Sequence, residues 1–332
     1  MDGIILINKE KDWTSHDVVA KIKKLLKVKV GHTGTLDPNA TGVLPLLLGN
    51  ATKISKYLIN HDKEYIAELQ LGIKTDTADG EGKIIEEKPV NLKELINSVD
   101  LCLNIESFNN KNEESKNIEN YLQKVLNQFV GKNLQKPPIY SAIKVNGKKL
   151  YEYARENKQI DVKPREIEIY KIELINFNSK ENIITFKVSC SKGTYIRTLC
   201  ENIAEKLNTC GYMKELQRTR VGKFKIENTI TINELEKLID LKENEIIYNN
   251  SETENILEKT SSNEKHKYYI SIEELFSKHG KIELNTETLN KFLNGVKINN
   301  NREEGIYRIY SQNKFIGIGI NTNGKLKRDV II

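Results

Sequence analysis

Apolar residues near the start of the chain follow first a strand pattern and then a helix pattern. Residues 3–8 form a short apolar run that predicts a buried strand. The next segment, TSHDVVAKIKKLLK, carries apolar residues at helical spacing and lysines over much of its remaining surface. Thr14 or Ser15 can cap this helix, and Asp17 lies in its first turn, where a negative charge is favoured. We therefore predict an amphipathic helix with a basic outer side.

Alternating apolar and polar positions predict three strands in the middle of the chain. They are KEYIAELQL, which is followed by a polar loop containing Asp79, then REIEIYKIELINF and IITFKVSCS. Helical spacing predicts a helix in YLQKVLNQFV, closed by Gly131, and another in GTYIRTLCENIAEKL. Arg197 lies near the start of the second helix, and residues at strand-to-helix junctions are often functional.

Two polar stretches suggest how the chain is divided. A chain of 332 residues is long enough for about two domains. Residues 104–120 are rich in Asn, Glu, Ser and Lys and are predicted to be a solvated insertion in a first domain, 1–245. Residues 246–267 have a similar composition and are predicted to be a linker. Short alternating runs with Gly and Asn turns then predict a small β-rich domain over 268–332.

Composition narrows the class of protein. The net charge of +6 is compatible with an anionic partner and equally with a generic lysine-rich surface. None of the four cysteines forms a CxxC pair, so we expect no zinc site. The N-terminal apolar run is too short for a signal peptide, and no apolar run is long enough to span a membrane. These patterns predict a cytoplasmic protein.

The segment GHTGTLDPNATGVLPLLLGNATK contains a single carboxylate, Asp37. Pro38 biases Asp37 toward an extended or turn conformation, and Gly34 and Gly42 allow a ligand or backbone to approach closely. A carboxylate presented in this way can act as a nucleophile. It can also bond its own backbone in an ordinary turn, which is the stronger interpretation of this segment by itself.

Other candidate residues are weaker when each is considered separately. Tyr65 is typical of strand packing, Arg197 of a helix surface, and His32 of an exposed polar position. The chain contains neither HExxH nor GxSxG, so metal-dependent hydrolysis and Ser-His-Asp chemistry have little support.

Several long motifs occur together and in one order. They are GHTGTLDPNATGVLPLLLGNATK, KEYIAELQLGIKTDTADGEG, PPIYSAIKVNGKKLYEYAR, CSKGTYIRTLCENIAEKL and LQRTRVGKF. In this order they resemble the motifs of bacterial tRNA pseudouridine-55 synthases, the TruB family, over most of residues 1–230. The resemblance implies an α+β fold with a pseudouridine synthase-like catalytic domain on a mixed, largely antiparallel sheet. It also implies a small β-rich, PUA-like RNA-binding domain at the C-terminal end.

The resemblance implies an activity and three catalytic residues. Enzymes of this family isomerise the T-loop uridine at tRNA position 55 after flipping it out, and they use neither a cofactor nor a metal. The family's catalytic aspartate corresponds to Asp37, and its active-site arginine, expected to pair with Asp37, corresponds to Arg197. Its active-site tyrosine corresponds to Tyr65, which would stack on the uracil and is a candidate to move the C5 proton. A glycal route and a covalent sugar adduct both remain open.

Further positions match substrate-binding residues of the family. Tyr195 and Leu216 correspond to residues that line the base pocket. His32 corresponds to the histidine inserted into the T-loop, and Asp79 to a carboxylate that contacts RNA. Lys9 corresponds to the lysine of an N-terminal motif and is also expected to bind substrate.

The chain departs from the family within that N-terminal motif. The family commonly has Lys-Pro-x-Gly, whereas this chain has Lys9, Glu10, Lys11 and Asp12. The lysine is kept, but the proline and the glycine are both replaced. Because these two residues determine the backbone conformation, the shape of this loop is the feature that the difference calls into question.

The expected partner is the T-arm of tRNA. The resemblance implies a monomer that needs neither a guide RNA nor an accessory protein and does not bind membranes. Two alternatives stay open. One is a tRNA-binding folding helper whose catalysis is secondary, and the other is a guide-RNA-dependent synthase of the dyskerin type.

Overall fold

The computed structural model describes residues 1–92, 111–156, 158, 160–249 and 268–332. These residues form two compact units. The first unit comprises Met1–Pro38, Gly42–Asn60 and Phe224–Ile332, and the second comprises Asn39–Thr41 and His61–Lys223. The predicted linker falls largely outside the described residues, so the predicted domain limits stay a prediction.

Strands provide the framework of both units. In chain order they are β1 (Gly3–Lys9), β2 (Val30–His32), β3 (Thr41–Leu48), β4 (Lys63–Leu71), β5 (Ile73–Thr75), β6 (Ile84–Glu87), β7 (Gly131–Gln135), β8 (Lys144–Val145), β9 (Lys148–Lys149), β10 (Arg165–Asn178), β11 (Ile183–Cys190), β12 (Gly211–Val221), β13 (Phe224–Lys225), β14 (Tyr269–Ser271), β15 (Gly280–Glu283), β16 (Ile298–Asn299), β17 (Gly305–Ser311), β18 (Lys314–Thr322) and β19 (Lys325–Ile331).

Helices connect these strands. The α-helices are α1 (Ser15–Leu26), α2 (Lys111–Asn127), α3 (Leu150–Arg155), α4 (Ile196–Lys206), α5 (Ile232–Asn249), α6 (Ile272–Leu275) and α7 (Thr286–Leu293), and the 3₁₀ helices are Gly49–Tyr57 and Ile226–Asn228. The predicted cap of α1 is confirmed: the Thr14 hydroxyl accepts a hydrogen bond from the Asp17 N–H, and the Asp17 carboxylate accepts one from the Thr14 N–H. In the described part of the chain, all helices are too short or too polar to cross a membrane.

The second unit is built on an antiparallel sheet in the order β12-β4-β11-β10-β7. Alternate residues of β4 are buried, from Tyr65 to Leu71, as the sequence pattern predicts. Short antiparallel ladders join β5 to β6 and β8 to β9. The edge strand β7 leads directly into the segment that precedes β8.

The first unit contains antiparallel pairings of β1 with β14, of β1 with β3, and of β2 with β3. It also contains a five-stranded sheet in the order β15-β17-β18-β19-β16. In this sheet β15 runs parallel to β17, and the other neighbours are antiparallel. Its core includes the fully buried Phe292 of α7 and Ile309 of β17. The predicted fold class, with mixed pairing and a β-rich C-terminal part, is confirmed.

Two expectations around the polar insertion differ from the structure. Residues 111–120 belong to α2, and residues 104–110 lie outside the described part. Glu and Lys are good helix formers as well as good surface residues, so their abundance did not distinguish an exposed helix from a loop. The predicted helix end at Gly131 was also wrong, because α2 ends at Asn127 and Gly131 begins β7 with a φ of 100°.

The loop between β1 and α1 contains a strained residue. Asp12 has a φ of 67°, in the left-handed region that favours glycine. Its N–H donates a hydrogen bond of 3.0 Å to the carbonyl oxygen of Pro38. This is the position where the N-terminal motif of the resembling family has glycine. Asp12 thus keeps the backbone conformation that a glycine would adopt without steric cost, and an aspartate tolerates it better than most residues.

Substitutions of Asp12 should test this conformation. We expect Asp12→Val to lower the free energy of unfolding by about 1–2 kcal/mol, because a β-branched side chain is crowded in the left-handed region. Asp12→Gly should leave the stability nearly unchanged. Urea unfolding can be followed by the fluorescence of Trp13, the single tryptophan of the chain.

Lys11→Val is the matched control, since Lys11 is also exposed and neighbours Asp12. It should change the stability by no more than about 0.5 kcal/mol. An equal loss of stability in both valine variants would contradict the left-handed assignment.

Candidate active site

Asp37 lies in the loop that follows β2, and the part of this loop up to Pro38 belongs to the first unit and is tied to the start of α1. The N–H of Leu36 donates to the Ser15 hydroxyl at 2.9 Å, and this hydroxyl donates to the carbonyl oxygen of Leu36 at 3.1 Å. Ser15 is buried, so water competes little for either bond. The residue before Asp37 is therefore fixed by its backbone.

Lys9 fixes the residue on the other side of Asp37. Its side chain is 0% exposed, and its ammonium group donates to the carbonyl oxygens of Glu10, Trp13 and Pro38 at 3.0, 2.6 and 2.9 Å. A buried cation is tolerated only when such acceptors surround it. Lys9 therefore has a structural role at the Asp37 loop, and its predicted contact with substrate stays a prediction.

His32 lies at the end of β2, on the strand that leads to the Asp37 loop. Its ring meets the edge of the His16 ring of α1, with ring centroids 5.6 Å apart and planes inclined by 75°. His32 as a whole residue is half-buried. Its predicted insertion into RNA stays a prediction.

Arg197 lies in the first turn of α4 in the second unit, and its guanidinium is buried. Its Nη1 is 3.3 Å from Oδ2 of Asp79, and both side chains are only 6% exposed. Nη1 also donates to the carbonyl oxygen of Thr77 at 3.4 Å, and Nη2 donates to that of Tyr140 at 3.0 Å. The structure thus brings together two predicted residues, Arg197 and Asp79. The predicted pairing of Arg197 with Asp37 stays a prediction.

Asp79 is held by its own loop as well as by Arg197. Its Oδ1 accepts hydrogen bonds from the Thr77 hydroxyl at 2.5 Å and from the Glu81 N–H at 3.2 Å. The loop is joined to β12 by the Met213 N–H, which donates to the Ala78 carbonyl oxygen at 3.1 Å. Both carboxylate oxygens thus have partners within the protein. The RNA contact predicted for Asp79 stays a prediction.

Tyr65 and Leu216 share the buried face of the central strands. Tyr65 of β4 pairs with Arg218 of β12, and Leu216 pairs with Ala67 two positions further along β4. Residues paired directly across an antiparallel ladder point to the same face. The structure therefore places Leu216 close to Tyr65, as expected for two residues of one pocket.

Arg218 was missed in the sequence, although it is 2% exposed and pairs with Tyr65. The strand pattern of β12 could have indicated its burial, but arginine is seldom assigned to a buried face. On β4, Lys63 lies two residues before Tyr65, and burial, followed by the charge of Arg218, lowers its pKa. The cations around Tyr65 favour an anionic ligand or an anion formed during a reaction.

Tyr195 is the half-buried N-cap residue of α4, two residues before Arg197. Of the predicted site residues, the first unit carries Asp37, and the second unit carries Tyr65, Tyr195, Arg197 and Asp79. Within the described ranges, no group of three or more His, Cys, Asp or Glu side chains is arranged to hold a metal ion. What the described side chains offer is acid–base chemistry, nucleophilic chemistry and anion binding.

Solved structures of known proteins share this fold. One is the chain matched in the crystal structure of a Cbf5-Nop10-Gar1 complex, with a TM-score of 0.60 and 23% identity, covering 99% of this chain and 83% of that chain. Another belongs to an H/ACA RNP bound to a substrate RNA containing 2′-deoxyuridine, with a TM-score of 0.59, 22% identity, and coverage of 99% of this chain and 85% of that one. At this identity the likeness concerns the fold.

Curated relatives match at higher identity. The tRNA pseudouridine synthase B of Clostridium tetani (strain Massachusetts / E88) is 38% identical over 98% of both chains. The protein of the same name from Francisella tularensis subsp. tularensis (strain WY96-3418) is 44% identical over 72% of this chain and 71% of its own.

Family models cover most of the sequence. The N-terminal domain of TruB family pseudouridylate synthases matches residues 23–115 and 100–196. The C-terminal domain of tRNA pseudouridylate synthase B matches 197–258, and the C-terminal model of pseudouridine synthase II TruB matches 280–329. These matches confirm the resemblance and the prediction that the chain is an enzyme of this kind. The chain belongs to the TruB family of pseudouridylate synthases.

Proposed function

We propose that this protein is a tRNA pseudouridine synthase that isomerises the T-loop uridine at tRNA position 55. The observation that carries the proposal is the double anchoring of the Asp37 loop in a member of this family. Buried Ser15 holds Leu36 and buried Lys9 holds Pro38, so the carboxylate between them is presented in a fixed turn. Such pre-organisation is what a nucleophile needs. The relatives named tRNA pseudouridine synthase B support tRNA as the substrate.

The reaction conserves atoms and electrons. The bond between C1′ of the ribose and N1 of uracil breaks, the base rotates, and a bond forms between C1′ and C5. A proton leaves C5 and a proton is gained at N1, so no redox partner is needed, and we propose that the protein uses no cofactor. Asp37 would act on the sugar, either as a nucleophile at C1′ or along a glycal route.

Tyr65 would stack on the uracil and accept the C5 proton. An ordinary phenol, with a pKa of about 10, is a poor base at neutral pH. Lys63 and Arg218 lie on the same face of the sheet as Tyr65, where positive charge would stabilise negative charge that develops during the proton transfer. This arrangement supports the proposed base. Leu216 and Tyr195 would form walls of the base pocket.

A uridine within a folded T-loop must leave the base stack before it can react. We propose that the flipped base enters the site beside Tyr65 and that His32 takes up a position in the T-loop. Since loops of RNA are recognised by shape, stacking and base edges, the combination of aromatic and cationic residues suits this substrate. We propose that the protein acts on tRNA in the cytoplasm as a monomer, with neither a guide RNA nor an accessory protein.

An assay on unmodified tRNA tests the proposal directly. We expect purified protein to form one pseudouridine, in the T-loop of the transcript, without added metal. Asp37→Asn should abolish this product and retain tRNA binding, because it removes the charge and keeps the size of the side chain. Carbodiimide labelling followed by primer extension would map the product.

Asp240→Asn is the matched control, since Asp240 is exposed on α5, and it should retain full activity. Substantial product from Asp37→Asn would sink the assignment of Asp37. Tight tRNA binding without product from the wild type would favour the folding helper, and in that case Asp37→Asn would complement a deletion strain. Product formed only with added RNA and proteins would favour the guide-dependent alternative.

The buried pair of Arg197 and Asp79 supports a fixed active-site cation, and its energetic role can be measured. We expect Asp79→Ala to lower the free energy of unfolding by about 3 kcal/mol, because the guanidinium would stay buried without its carboxylate. Urea unfolding would measure the loss.

Glu287→Ala removes an exposed partner of Lys291, with 2.6 Å between their charged groups. This control variant should lower the free energy of unfolding by no more than about 0.5 kcal/mol, since exposed ion pairs are screened by water. An equally small decrease in the free energy of unfolding for Asp79→Ala and Glu287→Ala would show that the buried pair does not stabilise the fold.

A further inference from the structure

Gln135, the last residue of β7, forms two hydrogen bonds with the backbone of Tyr195. Its Nε2 donates to the carbonyl oxygen of Tyr195 at 2.9 Å, and its Oε1 accepts from the N–H of Tyr195 at 2.8 Å. The side-chain amide thus pairs with both polar groups of one residue, 60 positions further along the chain. Since Gln135 is 5% exposed, water competes little for either bond.

Tyr195 is a residue whose backbone needs such support. It is the N-cap of α4, and its rigid phenol side chain cannot bond the first helical N–H groups as Ser, Thr, Asp or Asn would. Its carbonyl oxygen also accepts the first intrahelical hydrogen bond, from the Leu199 N–H at 3.1 Å. Gln135 therefore fixes the point from which α4 starts.

The same segment also holds the side chain of Arg197. The carbonyl oxygen of Tyr140, five residues after Gln135, accepts the hydrogen bond from Nη2 of Arg197 at 3.0 Å. Between the two contacts lie Pro137 and Pro138, whose rings restrict the backbone. Segment 135–140 thus forms hydrogen bonds with the start of α4 at two places, the Tyr195 backbone and the Arg197 guanidinium.

A second glutamine, the half-buried Gln123, also bonds the backbone through both atoms of its amide, but at two different residues and away from the candidate site. On α2, Nε2 of Gln123 donates to the Ile172 carbonyl oxygen at 3.1 Å, and Oε1 accepts from the Leu174 N–H at 2.7 Å. This pair joins a helix to the middle of β10. Gln123 can therefore serve as a control for Gln135, because both are glutamines that bond the backbone and only Gln135 lies next to predicted site residues.

We propose that Gln135 is a positioning residue for the isomerisation. By holding the Tyr195 backbone, it sets where the Tyr195 ring and the Arg197 guanidinium lie relative to the bound uridine. This inference rests on the proposed function. It predicts an effect on the chemical step, since a displacement of about 1 Å can slow a reaction by about 100-fold.

The test compares Gln135→Glu with Gln123→Glu under single-turnover conditions. In each variant a carboxylate can still accept the N–H bond, but it cannot donate to the carbonyl oxygen and repels it. With saturating tRNA transcript, we expect the rate of pseudouridine formation to fall by about tenfold or more in Gln135→Glu, from a shift smaller than 1 Å. Gln123→Glu should stay within twofold of the wild type. The tRNA dissociation constant, measured by filter binding, should change less than twofold in both variants.

Two kinetic outcomes would overturn the role of Gln135 and leave the proposed function standing. One is an active wild type with a Gln135→Glu variant of equal rate, and the other is an equal slowing by both variants, which would indicate a general loss of stability. A wild type that forms no pseudouridine would overturn the proposed function and this inference together.

Hydrogen exchange of the wild type covers the case in which Gln135→Glu does not fold. Mass spectrometry of peptides spanning 194–199 should show a protected Tyr195 amide, because that N–H is bonded to buried Gln135. Exchange of this amide at the rate of an unfolded peptide would overturn the inference.

Discussion

A cation that is taken out of water needs acceptors inside the protein, and this requirement determines the surroundings of Lys9 in the first unit and of Arg197 in the second. The Lys9 ammonium finds three carbonyl oxygens, one of them on Pro38 beside Asp37. The Arg197 guanidinium finds one carboxylate and two carbonyl oxygens. In each case the acceptors belong to loops, so compensating the charge also fixes the loop. The cations thus convert segments without regular structure into rigid supports.

Hydrogen bonds from side chains to the backbone complete this support. Ser15 holds Leu36 in the first unit, and Gln135 holds Tyr195 in the second. In both cases one buried side chain both donates to and accepts from the backbone of the residue it holds. Leu36 lies next to Asp37, and Tyr195 lies two positions before Arg197. Asp37 and Arg197 are the residues that we propose take part in the reaction. The side chains that react can then be small in number, since other residues position them.

Sequence patterns predicted the strands in which burial alternates regularly, β4 and β11, together with β10 and the capped helix α1. They missed the start of α2, because Glu and Lys suit an exposed helix as well as a loop. The pairing of Arg197 with Asp79 was also missed, because the two residues lie 118 positions apart and only the folded chain joins them. The sequence does not indicate the role of Gln135, since an uncharged amide gives no sign of its hydrogen-bond partners before the fold is known.

The contacts of α4 also have a consequence for the order in which the chain folds. Asp79 and Gln135 leave the ribosome well before Arg197 and Tyr195. Until α4 has been synthesised, the Asp79 carboxylate has no guanidinium to pair with, and burying it at that stage would be costly. We therefore expect the Asp79 loop to stay hydrated on the nascent chain and to close only when α4 docks. The surroundings of Asp79 would then form late, because α4 and β12 both follow the Asp79 loop by more than 100 residues in the chain.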